Sequence, residues 1–399
     1  MMNLSSLFSA FRSSLLVLPR LRTPREGEER HATWLELFYD LVVVAAVAPV
    51  AQALSKDHSA SGIIMFAGLF IPVFWVWAGH TVYATRFDTD DLVYRLLTFL
   101  QMFAVVGMAV EVHDASQGDT RAFSLAYLGA RIILLFLLAR ADRHVPDARP
   151  FIRTYLKGFG VGAALWALSI PLAAPARYVL WAASLGLELA VPWQVWRGMH
   201  PSAAVSPSHI PERLGLFTII VLGESISAVV RGLGGTHWEA AAIAVSALGF
   251  GSGVCVWWIY FLHLERAIGR VKLGSGQPYI YSHFPLLVGI VVMGTGVEHA
   301  ISEGGAGRFQ AGTFGLLWGG VYLWTLGAWV LHHVMHPRKS RPAAFRYAVM
   351  LAFLLAANLA SRFLSPLSAM VLLLFCLLFL LVEEERIHWT AARRGSNQD

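Results

Sequence analysis

Twelve long apolar runs dominate the chain, near residues 34–54, 60–82, 92–112, 121–141, 153–172, 177–197, 213–232, 238–262, 279–301, 310–334, 343–361 and 365–384. Each has about the 20 residues an α-helix needs to cross a hydrocarbon core of about 30 Å. Lipid offers no hydrogen bonds to a peptide backbone, so such runs must satisfy their N–H and C=O groups internally, as helices. Charged residues make up 14% of the 399 positions and hydrophobic ones 56%, whereas a soluble domain carries roughly 25% charge. The expected fold is therefore an all-α polytopic membrane protein with about 12 transmembrane helices. This excludes a soluble enzyme and a disordered chain. Cys255 and Cys376 sit inside apolar runs and read as small hydrophobes, too few for a disulfide scaffold.

Basic residues give the orientation, because Lys and Arg in short loops stay on the cytoplasmic side. With the N-terminus inside, 23 of the 31 Lys and Arg fall on the cytoplasmic side, Arg197 and Arg213 among them, and six on the other. Arg95 and Arg131 are left at membrane depth. Both termini are expected in the cytoplasm, in a bacterial cytoplasmic (inner) membrane, and the net charge of +6 reflects this placement rather than nucleic-acid binding. Residues 1–30, apolar with Arg12 in their midst, read as an interfacial amphipathic helix or a loose basic tail rather than a cleaved signal; residues 385–399 read as a solvated end.

The two halves carry a weak recurring pattern. Val76, Trp77 and Arg86 stand 180 positions before Val256, Trp257 and Arg266, and Gly107 and Glu111 stand 187 before Gly294 and Glu298. Common order and similar offset suggest an internal duplication into parallel six-helix halves, 31–197 and 213–384, joined by the Pro- and Ser-bearing linker 198–212.

Ionisable groups at membrane depth are expensive, so they are functional candidates by default. Glu36 and Asp40, four apart, share a helix face. Two carboxylates there either share a proton or cation, or sit at headgroup level as orientation charges. Glu224, a dozen residues into its run and followed by Ser225, is the most deeply placed acid; Glu188 is similar but has no counterpart in the repeat. Glu111 with His113, and Glu298 with His299, pair a carboxylate with an imidazole near span ends, as gate or vestibule groups suited to proton exchange. Arg131 requires an acidic partner, for which Glu111 or Glu36 is the expectation. His80, Tyr83 and Arg86 lead into Asp88, Asp90 and Asp91, read as a loop ordered by salt bridges before a divalent-ion site. His332, His333 and His336 read as interfacial. No metal site or cofactor is assigned, and without a phosphate loop, HExxH or serine elbow an enzyme reading has little to stand on.

HATWLELFYDLVVV, ERLGLFTIIVLGES and SHFPLLVGIVVMGTGVEHA together resemble the bacterial low temperature requirement protein A family over about residues 30–385. Tyr39 stands where that family usually has phenylalanine. The resemblance carries over Trp34, Glu36, Phe38, Asp40, His209, Glu212, Arg213, Gly223, Glu224, Ser225, His283 and Pro285 as signature residues, and implies a membrane protein named for a cold-growth phenotype. Two readings follow. In the first, Glu36, Asp40 and Glu224 line a route through a proton- or cation-coupled secondary transporter of a small solute. In the second, the protein serves cold or envelope stress without transport, through membrane lipids or partner contacts. A membrane enzyme or ion channel stands behind both.

Overall fold

A computed structural model describes residues 17–22, 31–88, 90–198, 209–267, 276–306, 308–335, 348–349, 351–356, 358–359 and 363–395. Most of the expected N-terminal segment and of linker 198–212, part of the span at 343–361, and His336 therefore lie outside the described residues. The elements in chain order are β1 (Arg20–Leu21), α1 (Trp34–Lys56), α2 (Ala60–Arg86), β2 (Phe87–Asp88), α3 (Leu92–Val110), α4 (Val112–Ser116), α5 (Arg121–His144), α6 (Arg149–Ser169), α7 (Ala176–Gly198), α8 (His209–Gly234), α9 (Ala240–Ala267), α10 (Gln277–Ser302), α11 (Ala311–Met335) and α12 (Pro366–Gly395). Among the described residues, nine helices are long and apolar enough to cross a membrane: α1, α2, α3, α5, α8, α9, α10, α11 and α12. Helices α6 and α7 have 21 and 23 residues but fall outside that set.

Helix α3 shows why lipid is the solvent. Leu96, Phe99, Leu100, Phe103, Val106 and Val110 are exposed at three- and four-residue spacing, while the opposite face buries Tyr94, Thr98 and Gln101. In water this polarity would be inverted. The buried amide has work to do there, since Gln101 Nε2 donates to the Ala130 carbonyl of α5 at 2.9 Å. Prolines 49, 72, 192 and 285 lie inside α1, α2, α7 and α10, a placement that membrane helices tolerate.

The chain divides into two compact units: residues 1–53, 64–216 and 272–280, and residues 54–63, 217–271 and 281–399. In the first, α3 packs on α5, α5 on α6, and α6 on α7. Their core gathers Tyr83, Leu134, Leu137, Ile152, Phe159 and Val191, which occupy one face of each helix. β1 pairs antiparallel with β2, Arg20 opposite Asp88 and Leu21 opposite Phe87. Within the expected N-terminal segment, Arg20–Leu21 is thus a short strand docked on β2, and Arg140 donates to the nearby Val17 carbonyl at 2.9 Å. Arg140 also pairs with Asp91 at 2.6 Å, and Arg95 with Asp90 at 2.7 Å, so this loop does order itself by salt bridges. With Arg95 holding it, the Asp90 carboxyl lies below the usual carboxylate range.

In the second unit α9 packs on α12, and α12 stays helical to Gly395, past the expected solvated end at 385. Helices α10 and α11 meet along a glycine seam. A Cβ added at Gly289, Gly296, Gly320 or Gly327 would lie no more than 2.6 Å from a backbone nitrogen of the facing helix. The seven-residue spacing on each helix repeats the contact every two turns, and only hydrogen side chains permit backbones to approach so closely. Substituting Gly320 with Leu is expected to lower stability by about 1–3 kcal/mol through overpacking. Gly315→Ala, at an exposed position of α11 facing open space, is expected to leave the melting temperature in detergent unchanged.

Candidate functional site

The first unit buries a charged cluster where α1, α2 and the start of α8 supply complementary stripes. Glu36 and Asp40 are one helical turn apart on α1, His209 and Arg213 one turn apart on α8, and Trp77, Thr81 and Thr85 follow at four-residue steps on α2. The spacing alone aligns acids, bases and hydroxyls along three helix faces. Arg213 grips Asp40 with two bonds, Nη2 to Oδ1 at 2.6 Å and Nε to Oδ2 at 3.1 Å. Its Nη1 lies 3.2 Å from Glu36 Oε1, and Nη2 also reaches Thr81 Oγ1 at 3.3 Å. Trp77 Nε1 donates to Asp40 Oδ1 at 2.6 Å. His209 Nε2 lies 3.5 Å from Glu36 Oε2, and its Nδ1 is 3.0 Å from Thr85 Oγ1. Glu36, Asp40, His209 and Arg213 are all at most 2% exposed.

The two carboxylates differ in how firmly they are held. Asp40 is fixed by a fork and an indole. Glu36 touches the same guanidinium through one atom pair, while its Oε2 accepts from the Thr33 backbone N–H at 2.8 Å and the Thr33 hydroxyl at 3.1 Å. Glu36 also lines a cleft of about 570 Å³ shared with Thr33, Trp34, Tyr94, Arg22 and Arg95. Asp40 does not line it. His80, expected to belong to the cytoplasmic loop's chemistry, is instead fully buried, stacked on Tyr39 with ring centroids 4.2 Å apart, its Nε2 3.3 Å from the Tyr94 hydroxyl.

Arg213 is expected as the first residue of its span, at the cytoplasmic end; α8 begins four residues earlier at His209, and Arg213 is fully buried. Spacing could have found it, since a basic pair four apart, facing an acidic pair four apart, is a pattern to seek. Arg131 pairs with neither Glu111 nor Glu36. Its Nη2 bonds Glu188 Oε2, and its Nε donates to the Tyr127 hydroxyl at 2.9 Å, which itself donates to Glu188 at 2.7 Å. This ring of three is closed, with Arg131 and Glu188 at most 1% exposed. Gly162 makes the room, because a Cβ there would stand 2.8 Å from Glu188 Cγ.

The second unit holds its own candidates. Arg231 bridges Glu224 and Glu298, with Nη1 2.9 Å from Glu224 Oε1 and Nη2 2.9 Å from Glu298 Oε2. Ser225 Oγ donates to the Ile290 carbonyl at 3.2 Å, below Gly294. His283 is buried, its Nε2 3.0 Å from the Tyr260 hydroxyl. His299 Nε2 meets Ser55 at 3.0 Å (hydroxyl) and 2.9 Å (carbonyl). By contrast Glu111 is the half-buried cap of α3, and His113 is exposed, so the matched acid–imidazole pairs have different surroundings.

Apolar helices turned outward and charges turned inward define an α-helical multi-pass membrane protein. A family model for the bacterial low temperature requirement A proteins matches residues 31–382, and the chain belongs to that family. A relative from Rhizobium meliloti (strain 1021), known as an uncharacterized protein, is 29% identical over 328 residues, covering 73% of this chain and 77% of its own.

Removing one partner of a buried pair strands the other charge, at about 3–5 kcal/mol, whereas replacing both with apolar groups is often near neutral. Arg131→Met is therefore expected to lower thermal stability sharply, and Arg131→Met with Glu188→Leu to recover most of it, as followed by melting in detergent.

Proposed function

We propose that the protein is a proton-coupled secondary transporter of a small solute in the bacterial cytoplasmic membrane, with Glu36 as the exchangeable acid and Asp40 as its fixed anchor. The observation that carries this reading is the cluster's charge count beside an accessible cleft. Two carboxylates face one guanidinium and one imidazole, so full ionisation of both acids leaves the group short of one positive charge, which a proton on Glu36 or His209 supplies. Glu36 is the acid next to the cleft, and it meets the guanidinium through one atom pair rather than a fork, so it is the one assigned the exchangeable proton. Its protonation weakens the pull on Arg213 while the Asp40 fork stays intact. An equilibrium between two helix packings would respond to that change in proportion to the differential interaction.

In this reading twelve spans form two parallel six-helix halves with both termini cytoplasmic. The support is the nine apolar helices, the added length of α6 and α7, the apolar sequence at 343–361, and the side preference of Lys and Arg. Glu224, Arg231 and Glu298, with Ser225, His283 and His299 nearby in the second unit's sequence, are the gate candidates of the second half. Glu111 and His113 hold the corresponding place in the first.

The test is reconstitution into proteoliposomes containing a pH-sensitive dye, with candidate solutes supplied. Solute-dependent proton movement is expected from the wild type, and at least a tenfold loss from Glu36→Gln. Equal movement in both, or no movement above protein-free vesicles across the solutes, rejects the assigned role.

A further inference from the structure

The repeat motif that ends in Arg86 leaves a second feature that the transport reading does not use. Arg86 closes α2 and lines a small pocket of about 20 Å³ in the first unit, against α5, α6, α7 and the start of α10. Four polar side chains line it, the Arg86 guanidinium, the Tyr83 and Tyr155 phenols and the Gln277 carboxamide, each at most 4% exposed. The rest of the wall is apolar or aromatic, and Arg86 lies over the Phe151 ring at 5.1 Å. No carboxylate lines the cavity. The Tyr155 hydroxyl is buried and has no hydrogen-bond partner among the described residues.

We propose that this cavity binds a monatomic halide, chloride under ordinary conditions, held by Arg86, Tyr155, Tyr83 and Gln277. The lining chemistry is that of an anion site: a guanidinium, two hydroxyls and a carboxamide NH₂ can all donate. Size narrows the class. A space of about 20 Å³ admits one or two water-sized particles, which matches a monatomic ion better than a polyatomic oxyanion. A halide gives the donors a charged acceptor, which strengthens each hydrogen bond relative to a neutral one in a low-dielectric interior. The site is independent of Glu36 and of proton coupling.

Thermal unfolding of the purified full chain in detergent, in sodium chloride, bromide or gluconate at equal ionic strength, tests this. Chloride and bromide are expected to raise the melting temperature over gluconate in a saturable way, by linkage. Tyr155→Phe keeps the ring and removes one donor, and is expected to weaken half-maximal halide binding roughly threefold to tenfold. Anomalous diffraction from bromide-grown crystals is expected to place a peak beside Tyr155 and Arg86. If the wild type melts identically in halide and gluconate, the cavity holds water and the proposal falls. It falls equally if Tyr155→Phe keeps the full halide response, or if bromide occupies only other positions.

Discussion

Every charge taken into this protein must be neutralised by another part of the same protein, because the surrounding lipid supplies neither counter-ions nor hydrogen bonds. That requirement organises both buried ionic groups of the first unit. Arg213 is held among Asp40, Glu36 and Thr81, and Arg131 among Glu188 and Tyr127. Each guanidinium offers five donors in a rigid plane, so each gathers several helices around itself. The pairs contribute little net stability over well-packed apolar side chains. What they fix is register, since sliding any of these helices by one residue would separate acid from base.

The two groups differ in a way that bears on chemistry. Arg131, Tyr127 and Glu188 form a closed ring, with one acid to one base, and none of them lines the cleft. Glu36 and Asp40 together outnumber Arg213, and one of them borders a space large enough for a ligand. A balanced group is suited to holding helices together. An unbalanced group with access to a cleft is suited to exchanging a proton. Orientation of the tryptophans follows the same logic: Trp77 is spent on Asp40, whereas Trp34 is 87% exposed at the start of α1, as an interfacial anchor would be.

The fold class was readable because long apolar runs leave the backbone one option, and Glu36 and Asp40 were readable because carboxylates are expensive there. Their partner was harder to read. Arg213 follows a Pro- and Ser-bearing stretch, so hydropathy starts its span at Arg213 itself, at the cytoplasmic end, while the helix in fact starts four residues earlier at His209. Glu188 was seen but not matched to Arg131, because pairing across helices depends on which faces meet, and one apolar helix looks much like another to a hydropathy scale. His80 shows the same limit from the other side. Its neighbours in sequence are the loop aspartates, yet its neighbours in space are Tyr39 and Tyr94. The weak repeat matched Glu111 with Glu298, but among the described residues it is Glu298 that pairs with an arginine, Arg231, while Glu111 sits at the end of α3.

The glycine seam between α10 and α11 has a thermal consequence. Burial of apolar surface from water weakens as temperature falls, but two helices in lipid are not drawn together by that force in the first place. Backbone atoms in direct contact along Gly289, Gly296, Gly320 and Gly327 attract by dispersion, which does not fade in the cold. The adhesion of this helix pair is therefore set by shape, and it persists across a range of temperatures over which a water-driven interface would loosen.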